Sequence, residues 1–175
     1  DEISVEQVAE LLDDDRIVYL SEMMNFPGVL SGDADVMAKI QAARDRNKPI
    51  DGHAPGLRGD EARRYIAAGI STDHDCFTQE EALDKLEAGA KILIREGSAA
   101  RNFDALYPLI DEYPEHCMFC SDDKHPDELI SGHINELAWR AIHKGVDTMH
   151  VLRAACVNPV LHYGLDVGLL RVGDA

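Results

Sequence analysis

Five short apolar runs, each followed by a polar or amphipathic stretch long enough for a helix, constrain this chain more than any other feature. They occupy residues 16–22, 49–53, 69–74, 91–96 and 117–122, and most are rich in Ile, Val or aromatic residues. Runs of this length bounded by Gly, Pro and Asp read as buried parallel strands. Several stretches between and after them read as helices. Residues 33–46 set Val36, Ala38, Ile40 and Ala43 among polar side chains. Thr78-Gln-Glu-Glu81 has the form of a capping box and opens a helix to about residue 90, stopping by Gly89. Residues 102–112 and 133–144 supply two more. Asp147 caps a helix to Cys156, and Asn158-Pro159 restarts a short one ending at Gly164.

Strand and helix in alternation predict an α/β fold with a parallel sheet covered by helices. In such folds chemistry gathers at the carboxyl ends of the strands, in open sheets and barrels alike. The residues at the five predicted ends are Glu22, His53, His74, Glu96 and Asp122. Two imidazoles and two carboxylates among them (Glu22, His53, His74, Asp122) suit a borderline divalent ion such as Zn²⁺, Mn²⁺ or Fe²⁺. His125, three residues after Asp122 and just before Pro126, lies in the loop over the expected mouth and is a candidate substrate contact. His133 is a weaker one. Asp51 and Asp73 read as supports for the histidines that follow them, and Met23, Met24 and Phe26 as an apolar wall.

Charge narrows the partners. Lys plus Arg number 17 against 33 Asp plus Glu, a net charge of −16. That balance argues against nucleic acid and against an anionic membrane surface, both of which call for a basic patch. No apolar stretch approaches the roughly 20 residues of a membrane span. Four cysteines in apolar surroundings fit a reducing compartment, the cytoplasm. Cys117-x-x-Cys120 reads as part of a strand, since no second Cys/His pair matches it.

With these residues in view, the motifs Asn25-Phe-Pro-Gly-Val29, Asp51-Gly-His-Ala-Pro-Gly56, Gly69-Ile-Ser-Thr-Asp-His-Asp75, Ile94-Arg-Glu-Gly-Ser-Ala99 and Cys120-Ser-Asp-Asp-Lys-His-Pro126 resemble the adenine deaminases of the amidohydrolase superfamily. The resemblance implies a (β/α)₈ barrel of the TIM type with a divalent metal centre of one or two ions, Mn²⁺ or Fe²⁺ ahead of Zn²⁺. It implies metal ligation by Glu22 on the fourth barrel strand, His53 and His74 on the fifth and sixth, and Asp122 on the eighth, where Asp122 also moves the proton. Asp123 ranks second to it. Arg95 and Ser98 resemble substrate-pocket residues, and Glu96 is a candidate to hold a purine ring nitrogen as a second catalytic group. The implied reaction is hydrolysis of a purine base, adenine, to hypoxanthine and ammonia. Cyclic-amide hydrolysis, deacetylation, or a folded metal-binding module without activity are the alternatives.

No His-x-His pair, the family's first-strand ligands, occurs in the chain. A complete barrel typically needs ~250 residues. The expectation is therefore a partial barrel, strands four to eight with their helices over residues 1–165. Residues 166–175 are expected to begin a return into a small β domain, and both ends of the chain to be cuts in a longer one. An open sheet edge at the position of the third strand favours a homo-oligomer.

Overall fold

The computed structural model of the chain describes residues 3–169 and 171–174. Helix α1 (Val5–Leu12) opens on a complete capping box in which Ser4 and Gln7 exchange hydrogen bonds. Strand β1 (Leu20–Met23) leads to α2 (Phe26–Ser31) and α3 (Ala34–Arg44). Then come β2 (Ile50–Gly52), α4 (Gly59–Ala67), β3 (Thr72–Asp73), α5 (Gln79–Glu87) and β4 (Lys91–Arg95). Two short helices, α6 (Phe103–Leu106) and α7 (Leu109–Glu112), precede β5 (Cys117–Cys120). Helices α8 (Pro126–Leu129), α9 (Ile134–His143) and α10 (Thr148–Leu152), a π-helical turn (Arg153–Val157) and α11 (Asn158–Tyr163) complete the order. Among the described residues these strands pair in parallel with one another, so the α/β reading holds.

Among the described residues five strands stand where five were expected, but they form two ladders rather than one, β1–β2 and β3–β4–β5. The break lies between β2 and β3. There the Thr72 hydroxyl, and not a backbone carbonyl, receives the Gly52 N–H at 3.4 Å. Ser71 still donates from its N–H and its hydroxyl to the Ile50 carbonyl, both at 2.8 Å. Side chains therefore bridge the seam. Gly52 has no room for anything larger, because a Cβ there would lie 2.3 Å from the Thr72 carbonyl oxygen.

Residues of the strands alternate between two faces. Ile50, Ile92 and Ile94 are almost wholly buried against the helices, each contributing roughly 1.5–3 kcal/mol. One apolar cluster joins β1 and β2 to α1–α4, and a second joins β4 and β5 to α5–α7, α9, α10 and the π-helical turn. On the opposite face Ser21, Asp51 and Leu93 line a cavity of about 470 Å³ together with Tyr19, Phe119 and Tyr163.

Several local expectations are corrected. The run 16–22 is strand only from Leu20, because Asp14 ties the Arg16 N–H and guanidinium into a turn. Glu22 consequently sits inside β1, one residue before its end. The helix expected over 102–112 is two, divided at Pro108, which has no N–H to continue the first. The helix from Asp147 widens to π geometry at Arg153 and runs straight into α11, which ends at Gly164 with φ +62°. Helices α1, α2, α4 and α8 had no counterpart in the sequence reading. No strand forms among the described residues of 166–175. Leu170 and Ala175 lie outside them. No helix of the described residues is long and apolar enough to cross a membrane.

His162 of α11 meets the Ser71 hydroxyl at 3.3 Å. Burial, with the nearby Lys91 ammonium, pushes its imidazole down from 6.5 to about 4. An imidazole neutral in the fold but free to protonate in the unfolded chain stabilises above pH 6.5. That contribution disappears as pH falls from 6.5 toward 4. His162→Gln is expected to flatten the acid limb of stability within this window, measured as denaturant midpoint against pH. Gly52→Ala is expected to destabilise by about 1–3 kcal/mol in urea unfolding, since the methyl group must push β3 away.

Candidate metal centre

Three donor atoms converge at the ends of β1, β2 and β3. Glu22 Oε2 lies 3.0 Å from His53 Nδ1 and 3.0 Å from His74 Nε2, and the two ring nitrogens are 3.3 Å apart. These are the only His, Cys, Asp or Glu side chains among the described residues grouped tightly enough to hold a metal ion. Without a cation or protons such a triangle sets lone pairs against one another. One ion at the ~2.0–2.2 Å typical of His and carboxylate ligands reaches all three. The donor set therefore fits a divalent ion, with mixed N/O chemistry that does not by itself select one.

Each donor is held by buried polar groups. The Tyr65 hydroxyl, on α4 and fully buried, donates to the Met23 carbonyl at 2.7 Å and accepts the His53 N–H at 3.1 Å. It thereby ties the residue after Glu22 to His53 itself. His53 Nε2 meets Asp75 Oδ2 at 2.9 Å. With Nε2–H donated to that carboxylate, Nδ1 carries the lone pair that faces Glu22 and His74. The Asn102 amide donates to the carbonyls of His74 (2.9 Å) and Cys76 (3.1 Å), and its oxygen accepts the Arg95 N–H (2.7 Å).

Beneath the loop that follows His53 lies a buried ionic cluster. Lys85 Nζ, wholly inaccessible to solvent, donates to the Ala54 carbonyl at 2.7 Å and to Glu81 Oε1 at 2.9 Å, and pairs with Asp73 Oδ2 at 3.2 Å. Burial presses its pKa down, but the surrounding carboxylates overcome this and the net shift is upward. Thr78 caps α5 as expected. The Glu81 carboxylate, however, does not complete the capping box. Its oxygens accept the N–H groups of Gly56 (2.7 Å) and Phe77 (3.0 Å). Asp73 accepts from Ala54 N–H and Asp75 N–H, a supporting role like the one expected of it. Asp51 accepts from the hydroxyls of Thr72 (2.8 Å) and Tyr163 (3.0 and 2.9 Å), and burial raises its pKa.

The remaining sequence candidates are not gathered at the triangle. Asp122, at φ +46°, lines the same cavity as Glu22 and His74, but its Oδ2 accepts from Arg95 Nη1 at 3.0 Å. Arg95 does not line that cavity; it bridges Asp122 and Asp75. Glu96 turns toward α9, where Oε1 pairs with Arg140 at 3.0 Å and the buried Oε2 has no hydrogen-bond partner among the described residues. Ser98 donates to Glu128 at 2.7 Å and accepts the His125 N–H at 2.8 Å, so both belong to a loop contact outside the cavity. His133 does line the cavity. Cys117 and Cys120 are free thiols, each pushed up to about 12 by burial.

Tyr65, Asp75, Lys85, Asn102 and Tyr163 were missed in the sequence. Glu81 is legible in the sequence only as part of a capping box, and Glu and Lys four apart on a helix are ordinarily a surface pair. Their adjacency to the apolar Ala82 and Leu86 is the signal that places them inward. The others leave no local signal, as with Tyr163, 112 residues from Asp51.

A sequence model described as the amidohydrolase family matches residues 2–175. The adenine deaminase of Salinibacter ruber is 62% identical over 173 residues, covering 99% of this chain and 32% of that protein. That of Methanosarcina mazei is 61% identical over 173 residues, covering 98% and 31%. That of Borreliella burgdorferi is 53% identical over 171 residues, covering 95% and 31%. The chain thus spans about a third of the length of these curated relatives.

Lys85→Met leaves Asp73 and Glu81 buried without their cation. A loss of about 3–5 kcal/mol is expected in chemical denaturation.

Proposed function

The chain belongs to the amidohydrolase family, and from that premise we propose that it forms strands four to eight of a (β/α)₈ barrel in a longer enzyme that hydrolyses adenine to hypoxanthine and ammonia. One observation carries the reading: identity of up to 62% with proteins named adenine deaminase runs over 99% of the chain, a span that contains the whole Glu22–His53–His74 triangle. The same names favour deamination over cyclic-amide hydrolysis or deacetylation.

Glu22, His53 and His74 hold the divalent ion, with Mn²⁺ or Fe²⁺ the leading candidates, Zn²⁺ a third, and one or two ions per site. When bound, such an ion would lower the pKa of a water to ~7, supplying hydroxide at neutral pH. Asp122 takes the proton of the attacking water and hands it to the departing amine, so that adenine and water become hypoxanthine and ammonia. Asp122 is also the fourth donor proposed for the metal centre. Tyr19, Phe119 and Tyr163 supply a cavity wall suited to a flat heterocycle. The assignment of Glu96 to a purine ring nitrogen rests on the motif resemblance alone, since its carboxyl pairs with Arg140 and does not line the cavity. Ser98 and His125, joined to each other, are assigned to the loop that borders the substrate. Residues 166–175 are proposed as the start of a return into a small β domain. We place the enzyme in the cytoplasm, consistent with four free cysteines. The edge of β1 that bears no partner strand among the described residues is consistent with a continuing barrel and with a homo-oligomer.

The test is ammonia release from adenine by the full-length protein. Turnover is expected to vanish on chelation, to return with Mn²⁺, and to fall about 10²–10⁴-fold in Asp122→Asn. Bound metal without ammonia release would overturn the reading.

A further inference from the structure

We propose that Arg95 is a positioning residue which, through Asp75, couples His53 to Asp122 and makes no contact with substrate. The inference rests on the functional reading above, in which His53 is a metal donor and Asp122 carries the proton.

Arg95 ends β4 with a side chain only 4% exposed. One terminal nitrogen of its guanidinium, Nη2, donates to Asp75 Oδ1, and the other, Nη1, donates to Asp122 Oδ2 at 3.0 Å. Asp75, equally buried, gives its second oxygen to His53 Nε2 at 2.9 Å, and its own N–H is held by Asp73 Oδ1 at 2.7 Å. The result is an unbroken series from His53 through Asp75 and Arg95 to Asp122. It crosses the carboxyl ends of β2, β3, β4 and β5.

The geometry depends on a planar fork. A guanidinium spans two carboxylates at a fixed separation, whereas an ammonium is a point charge on a flexible stem. Asp75 is thereby kept at the ring nitrogen of His53 that faces away from Glu22 and His74. Asp122 is kept on the cavity wall. Arg95 itself is absent from that wall, and both of its terminal nitrogens are engaged by carboxylates. The substrate contact implied by the sequence resemblance is therefore replaced by a role exerted through two other residues.

The test uses the full-length protein and Mn²⁺ as the probe, with Arg95→Met, Arg95→Lys and Asp75→Asn compared with the unsubstituted protein. Two quantities are measured: Mn²⁺ affinity by chelator competition, and kcat and KM for adenine. Arg95→Met is expected to lower kcat about 10²-fold with KM within about threefold, and Arg95→Lys to recover only part of the loss. Asp75→Asn is expected to weaken Mn²⁺ binding about 10–100-fold. A rise in KM at unchanged kcat in Arg95→Met would make Arg95 a substrate contact and overturn the proposal. So would Mn²⁺ affinity equal to that of the unsubstituted protein in Asp75→Asn. If Arg95→Met does not fold, the affinity of Asp75→Asn decides alone. A protein that binds Mn²⁺ without deaminating adenine would refute the functional reading, while the affinity comparison would still decide the link from Asp75 to His53.

Discussion

Three lone-pair-bearing atoms held within 3.3 Å of one another are the condition around which this structure is arranged. Left to themselves, a carboxylate and two imidazoles move apart or bind protons, and water competes for each. Keeping them together requires that every backbone segment carrying a donor be fixed from behind. The fold does so with polar groups taken out of water: a phenol for the ends of β1 and β2, a carboxylate for His53, and an amide for the segment after His74. Each is costly to bury alone and stable only because its partners are present.

The same principle acts one layer deeper. Lys85, Glu81 and Asp73 place a cation and two carboxylates where solvent does not reach, and their remaining hydrogen bonds go to backbone atoms at Ala54, Gly56, Asp75 and Phe77. An apolar cluster of equal volume would serve stability as well or better. It would not fix the two loops to one helix with directional bonds. The seam between β2 and β3 shows the same exchange of ladder bonds for side-chain bonds, through Thr72, Asp51 and Tyr163.

What the sequence discloses and what it withholds divide along a physical line. Short apolar runs, Asp147 and Thr78 as caps, and Asn158-Pro159 as a helix start are local signals, and each has its counterpart in the structure, the first run only from Leu20. Glu22, His53 and His74 were legible because strand ends in a parallel sheet converge whatever their separation in sequence. The partition of the sheet was not legible, since one threonine hydroxyl decides it. Residues 102–112, expected as one helix, are divided by Pro108, a breaker that the sequence does display. Asp75 stood in a quoted motif, yet nothing local says that its oxygen meets a histidine 22 residues earlier. Nothing in Lys85 itself marks it as buried, since lysine is almost never found fully buried unless it is paired.

Asp122 adopts a left-handed backbone, φ +46°, which few side chains tolerate. Aspartate, asparagine and glycine do so at little cost. Of the three, only aspartate can give up and regain a proton. Glutamate would keep the acid but strain the turn, while asparagine or glycine would keep the turn and discard the acid. Backbone shape and acid chemistry are thus locked together at one position, so a lineage drifting away from this chemistry can lose the carboxyl group without disturbing the fold, whereas one that retains an acid there has almost no choice but aspartate.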